Sequence, residues 1–175
     1  ISGDKSLSIR WVLFASIASG ISKARNLLIS EDVLAAIKII KKFGIKVIQK
    51  KGIFIIFGKG IDGYNFKKNT IINAGNSATL GRLILGLIIN SSKTIKLVGD
   101  KSLSRRDFKR VASPLSKFGA KFKLRKNFSL PLTIRGSKNI KSIKYHETRG
   151  SAQCKSAVML AAMRANGTTY IKAKK

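Results

Sequence analysis

Three short polar clusters in this sequence carry the residue types that hold anions: Gly3-Asp4-Lys5-Ser6, Asn73-Ala74-Gly75-Asn76-Ser77-Ala78-Thr79 and Gly150-Ser151-Ala152-Gln153. Each opens a helix-like run. The first turn of a helix leaves backbone N–H groups unpaired at the positive end of its dipole, where phosphate and carboxylate bind. Ser6 and Arg10 stand four positions apart and so share a helix face, with Lys5 at the mouth. Lys5, Ser6 and Arg10 thus make an anion clamp, the lysine a mobile point charge and the arginine a bidentate fork. Taken singly, each cluster also reads as an ordinary helix cap, which most such sequences are.

The elements that must position these clusters follow one order, written twice. In the first stretch the helix-like run Leu7 to Ala18 leads to the short apolar run Asn26 to Ile29. Ser30 then caps a helix with Glu31 and Asp32 in its first turn, where the dipole favours acids. Val33, Ile37 and Ile40 form its apolar stripe, Gly44 closes it, and Lys46 to Gln49 and Ile53 to Phe57 read as strands around Gly52. In the second stretch a helix from Ser77 to Ile89 precedes the strand Thr94 to Val98, a cap at Ser104 and a stripe of Phe108, Val111, Leu115 and Phe118. Gly119 closes that helix, and Ala120 to Leu124 and Leu130 to Ile134 read as strands. Pro114 inside the stripe predicts a kink or an early break. Lys42-Phe43-Gly44 and Lys117-Phe118-Gly119 mark equivalent points about 75 residues apart, a period that suits repeated subdomains. A third copy starts at Gly150, runs through Ala157, Val158, Leu160 and Ala161 to the strand-like Thr168 to Ile171, and lacks a second helix and hairpin, so a truncated chain is expected. Helices alternating with short strands give an α/β class.

Composition sets the bounds. With 175 residues, 44% of them hydrophobic, the chain is long enough to bury a core and too apolar for disorder. Its longest apolar runs, around Trp11 to Ile17 and Leu83 to Ile89, fall short of the roughly 20 residues that cross a bilayer. The opening Ile1-Ser2-Gly3-Asp4 has neither the basic nor the apolar region of a secretory leader, and the single Cys fits a reducing compartment, so a cytoplasmic protein is expected. Against 36 Lys+Arg stand 7 Asp+Glu, a formal charge of +29. Lysines spread through every element and mixed with Ile and Asn are what an AT-rich genome encodes, and a field of that sign also draws polyanions.

The residues resemble one known family. Gly3-Asp4-Lys5-Ser6-Leu7-Ser8-Ile9-Arg10 resembles the GxKSxxxR opening of 5-enolpyruvylshikimate-3-phosphate synthases, and Gly75-Asn76-Ser77-Ala78-Thr79 resembles their GNxGT or GNAAT segment. Gly99-Asp100-Lys101-Ser102-Leu103-Ser104-Arg105-Arg106 is similar to their GDxSLxxRP stretch, and Ser151-Ala152-Gln153-Cys154-Lys155-Ser156-Ala157 to their SAQVKSA. The motifs occur in the family's order and together cover essentially the whole chain. Ala78 stands where many members have glycine, Asp107 where proline follows the arginine, and Ile9 where a more polar residue is usual. Ala78 and the Gly-Asp-Lys-Ser opening resemble the glyphosate-tolerant class.

The resemblance implies one domain of the enolpyruvyl transferase fold, an inside-out α/β barrel of repeated βαβαββ-type units, here at about residues 1–72, 73–149 and, partially, 150–175. It implies transfer of the enolpyruvyl group of phosphoenolpyruvate to the 5-hydroxyl of shikimate 3-phosphate. Lys5, Ser6, Arg10, Ser151, Ala152 and Gln153 would hold shikimate 3-phosphate, and Lys5, Asn76, Ala78, Arg106 and Gln153 would meet phosphoenolpyruvate. No metal and no organic cofactor is implied. The catalytic acid/base groups belong to a C-terminal domain absent from this chain, so the chain alone is expected to be inactive; its partners are the two substrates and that domain, with no membrane, no specific nucleic acid, and a monomeric state.

Other residues take plainer readings. Cys154 in a helix-like run reads as a small packing residue, and His146 with Glu147 as an ordinary loop pair. Tyr64, Tyr145 and Tyr170 are scattered rather than arranged as a stacking platform for bases. Two rivals remain: UDP-N-acetylglucosamine enolpyruvyl transferase, whose usual opening carries Lys-Asn where this chain has Lys5-Ser6 and Arg10, and a basic nucleic-acid-binding module, which the charge favours without a binding motif.

Overall fold

The computed structural model describes residues 3–173. Helix α1 (Lys5–Ile17) starts where the Asp4 carboxylate accepts from the Leu7 N–H at 2.7 Å. After strand β1 (Ser19–Arg25), α2 (Glu31–Lys42) begins at the predicted cap Ser30, whose Oγ accepts from the Val33 N–H at 3.4 Å. Strands β2 (Lys46–Lys50) and β3 (Ile53–Lys59) follow, and β1 and β2 both pair antiparallel with β3. Phe43, Tyr64 and Phe66 pack as an aromatic cluster beside this sheet, with Phe43 and Tyr64 rings 5.0 Å apart. The Tyr64 hydroxyl shares a 2.6 Å hydrogen bond with Ser16 Oγ, and burial pushes its pKa up to about 12.

The order then recurs with a leading strand. Strand β4 (Thr70–Asn73) runs into α3 (Ala78–Leu87), then β5 (Thr94–Val98), α4 (Lys109–Lys117), β6 (Lys121–Lys123) and β7 (Leu132–Arg135). The sheet order is β4-β5-β7-β6, with β4 and β5 parallel and the other pairs antiparallel. Strand β8 (Lys144–Glu147), α5 (Ala152–Ala162) and β9 (Tyr170–Ala173) come last, β8 and β9 again parallel. Gly44 and Gly119 end α2 and α4 with positive φ.

Every residue of α3 except Thr79 is buried, which makes this helix the axis of the core. It lies against α5 with no side chain between the two backbones at one point: a Cβ on Gly86 would fall 2.2 Å from the Ala157 carbonyl oxygen. At the far ends of these helices a single carboxylate ties three segments together. Asp62 Oδ1 accepts from Asn90 Nδ2 at 3.1 Å and from Arg164 Nε at 3.3 Å.

Four readings from sequence need correction. Strand β1 lies at Ser19–Arg25, ahead of the apolar Asn26 to Ile29, because pairing with β3 overrides its polar composition. Ser104 does not cap α4. Asp100 Oδ1 accepts from the Leu103 N–H at 2.7 Å and starts a separate 3-10 turn (Leu103–Arg105), while Ser104 Oγ donates to the Gly99 carbonyl. The early break at Pro114 does not occur: α4 runs through it to Lys117, burying Val111, Ala112 and Leu115, which offsets one missing hydrogen bond. His146 and Glu147 lie on β8 rather than in a loop, and Glu147 is only 4% exposed. Cys154 is the buried packing residue expected of it.

Candidate functional site

Helices α1, α2, α3 and α5 all point their N-termini into one open cavity of about 410 Å³. Lys5 enters from α1, Glu31 and Asp32 from α2, Asn76 to Thr79 from the start of α3, Gln153 from α5, and Arg106 from the residue that ends the 3-10 turn. The capping chemistry explains the aim of each helix. Ser77 Oγ accepts from the Leu80 N–H at 3.3 Å, and Ser151 Oγ from the Cys154 N–H at 3.3 Å, each cap satisfying one of the first-turn N–H groups that a helix start leaves unpaired. Four converging dipole ends favour negative charge there.

The ionic groups in the cavity are mixed. Lys5 Nζ lies 3.5 Å from Asp32 Oδ2, with the lysine side chain exposed and the aspartate largely buried. Arg106 is exposed and has no side-chain hydrogen bond or ion pair among the described residues. Asp107 does not compete for it, since its carboxylate lies 3.7 Å from Arg149 Nη1 and accepts from the Lys109 N–H.

Gln153 is held from both sides. Its Nε2 donates to Thr79 Oγ1 at 2.9 Å, and its Oε1 accepts from Arg82 Nη1. Arg82 is 7% exposed, lies over the Phe108 ring at 5.6 Å from its centroid, and reaches the Asp107 carbonyl at 3.4 Å. Burial lowers its pKa. Sequence reasoning missed Arg82, and the signal was present: it is the single charge in the apolar run Leu80 to Ile89. The cavity role of Glu31 and Asp32 was missed as well, because first-turn acids are explained by the dipole alone.

All five residues expected to meet phosphoenolpyruvate, Lys5, Asn76, Ala78, Arg106 and Gln153, line this one cavity. The clamp of Lys5, Ser6 and Arg10 is not assembled there. Arg10 Nη1 donates to the Ser6 carbonyl at 3.2 Å and its side chain lines a separate apolar groove with Phe14, Leu83, Met159 and Met163. Ser151 and Ala152 sit at the start of α5 beside the cavity rather than in its wall.

A mixed α/β domain that gathers helix N-termini around basic and amide side chains is built to hold small anions. The EPSP synthase (3-phosphoshikimate 1-carboxyvinyltransferase) family matches residues 1–175, and the chain belongs to it. It is 39% identical over 172 residues to the 3-phosphoshikimate 1-carboxyvinyltransferase of Streptococcus suis, covering 98% of this chain and 40% of that protein. To the enzyme of the same name from Oenococcus oeni it is 37% identical over 169 residues, covering 97% of this chain and 38% of that protein. A solved EPSP synthase of Acinetobacter baumannii superposes with a TM-score of 0.93 at 32% identity, covering 100% of this chain and 40% of that one. The chain therefore spans about two fifths of the length of these relatives. The α/β fold expected from sequence is the fold of this family. No helix among the described residues is long and apolar enough to cross a membrane.

Proposed function

We propose that this chain is the substrate-holding part of a 3-phosphoshikimate 1-carboxyvinyltransferase, which transfers the enolpyruvyl group of phosphoenolpyruvate to the 5-hydroxyl of shikimate 3-phosphate and releases phosphate. The observation that carries this reading is the meeting of Lys5, Asn76, Ala78, Arg106 and Gln153 in one cavity at four helix N-termini. Lys5 and Arg106 supply charge, the α3 and α5 turns supply N–H groups, and Gln153 is fixed by Arg82 and Thr79. Two anionic substrates repel one another, and prearranged donors offset that repulsion before any bond changes. In the reaction the 5-hydroxyl gives up its proton and its oxygen attacks C2 of phosphoenolpyruvate as C3 gains a proton. The tetrahedral adduct then loses a C3 proton and phosphate, restoring the double bond. The acid/base groups for these steps lie in the rest of the longer protein, which closes over this domain.

Ser6, Arg10, Ser151 and Ala152 would complete the shikimate 3-phosphate side, with Arg10 swinging away from the Ser6 carbonyl as ligand enters. Units at about residues 1–72, 73–149 and 150–175 make up the domain, and the enzyme works as a cytoplasmic monomer. Ala78 places a methyl group beside phosphoenolpyruvate and confers glyphosate tolerance. Tyr64 is buried in the core and unable to stack on a base, which removes one of the three tyrosines from any base-stacking role. The test is phosphate release from phosphoenolpyruvate with shikimate 3-phosphate, run on the 175-residue chain and on the full-length protein. Turnover by the full-length protein alone supports the reading, and robust turnover by the short chain would sink the division of labour.

A further inference from the structure

Building on the reading that the start of α5 holds substrate, we propose that Glu147, braced by Tyr145, is a positioning residue that sets Ser151 and Gln153 at the anion cavity. Glu147 is the last residue of β8, buried although charged. Its Oε1 accepts from the Arg149 N–H at 2.8 Å and its Oε2 accepts from the Tyr145 hydroxyl, while the Ser151 N–H faces the carboxylate and favours its charged form. Burial acts to raise the Glu147 pKa, yet these donors outweigh it and hold the carboxyl below its ordinary range. A carboxylate buried in this way is retained only where its lone pairs are filled, and here both of its hydrogen-bond donors belong to β8 and to the turn that feeds α5, with the Arg110 guanidinium of α4 adding a favourable charge from outside it. Removing it would release that turn rather than a distant contact.

The same device recurs among the described residues at the other helix that opens on the cavity from a parallel strand. Asn73 ends β4, and its Oδ1 accepts from the Gly75 N–H at 2.9 Å, two positions on. The cap Ser77 follows Asn73 by four positions, as the cap Ser151 follows Glu147 by four. Each turn contains a glycine in the left-handed region, Gly75 at φ 57° and Gly150 at φ 66°. A strand-end acceptor, an N–H two residues on, a left-handed glycine and a capping serine thus place both helix starts on one cavity. The recurrence ties Glu147 to the placement of Gln153, because α3 and α5 must meet in register for Gln153 Nε2 to reach Thr79 Oγ1.

The experiment reads amide hydrogen exchange in the 175-residue chain and steady-state kinetics in the full-length protein, for Glu147→Ala and Glu147→Gln. Glutamine keeps an oxygen for the Arg149 N–H, and the Tyr145 hydroxyl can turn to accept from its amide. Glu147→Ala should raise exchange at Ser151 and Cys154 about tenfold relative to Leu160, while Glu147→Gln keeps most of the protection. Asn73→Ala should act on Gly75 and leave α5 unchanged. In the full-length protein Glu147→Ala should raise KM for shikimate 3-phosphate about tenfold with kcat within about twofold, and glutamine should restore it. Unchanged exchange at Ser151 and Cys154 overturns the proposal. So does a loss shared equally by Leu160, an unchanged KM, or a glutamine variant as damaged as the alanine one. A wild-type full-length protein without transferase activity would remove the proposed function, and the exchange data would still decide whether Glu147 sets the α5 turn.

Discussion

Replacing Arg82 with methionine keeps a long apolar side chain in the core and removes the guanidinium, which lies over the Phe108 ring and donates to Gln153 Oε1 and the Asp107 carbonyl. A hydrogen bond to a charged group is worth about 1.5–3 kcal/mol. The gain from no longer burying a cation offsets part of that loss, since burial already lowers the Arg82 pKa. The net expectation for Arg82→Met is a loss of about 1–2 kcal/mol of unfolding free energy. Gln153→Leu should lose a similar amount, because it leaves Arg82 buried with its best partner gone and frees Thr79. The double variant removes both sides of the contact, so its loss should fall short of the sum by about 1 kcal/mol or more. Urea unfolding of the four proteins, at one ionic strength, measures the cycle. Additivity within about 0.3–0.5 kcal/mol would mean that Arg82 and Gln153 do not hold one another, and the account of how Gln153 is aimed would fail.

Four further outcomes follow from the same structure. In the full-length protein Lys5→Ala should lower kcat/KM roughly ten- to a hundred-fold and Lys41→Ala hardly at all, since Lys5 lines the cavity and Lys41 lies exposed on α2; equal effects refute the site. Ala78→Gly should lower the ratio of glyphosate Ki to phosphoenolpyruvate KM by about tenfold, the scale of one methyl group in a tight site, and an unchanged ratio removes Ala78 as the discriminator. Gly86→Ala should destabilise the chain by about 3 kcal/mol or more, because the new Cβ meets the Ala157 backbone and not a movable side chain; thermal unfolding close to wild type would contradict the packing. Tyr64 has its folded pKa raised to about 12 from 10, so the stability it lends is whole below pH 10 and is lost as pH climbs toward 12. Subtracting the unfolding free energies of Tyr64→Phe across that range isolates this slope from the lysines, and a flat difference refutes it.

The helix starts were legible because their chemistry is local. Ser30, Ser77 and Ser151 each accept from the N–H three residues on, a pattern readable from a few letters. Ser104 looked the same and failed, since Asp100 four residues earlier captures the chain into a 3-10 turn first. Strand β1 was hidden for a different reason: Ser19-Gly20-Ile21-Ser22-Lys23-Ala24-Arg25 has little strand character until β3 lies alongside it. The cavity residues came from motif resemblance, and the structure adds what no motif carries. Arg82 and Gln153 are 71 positions apart, and only the packing of α3 against α5 joins them. Arg10 shows the converse, a residue of the right type four positions from Ser6 whose guanidinium is turned elsewhere.

The contact between Gly86 and the Ala157 carbonyl lies about two helical turns beneath the start of α3. At that point the separation of α3 from α5 is a distance between two main chains. Bringing the helices closer there would drive main chain into main chain, and a side chain at position 86 would force them apart. A genome that drifts toward Lys, Ile and Asn can therefore rewrite most of the surface of this domain while the two helix starts on the cavity keep their spacing. The charge of +29 can be spread over that surface without touching this contact, and Gly86 is where such substitution would meet the main chain.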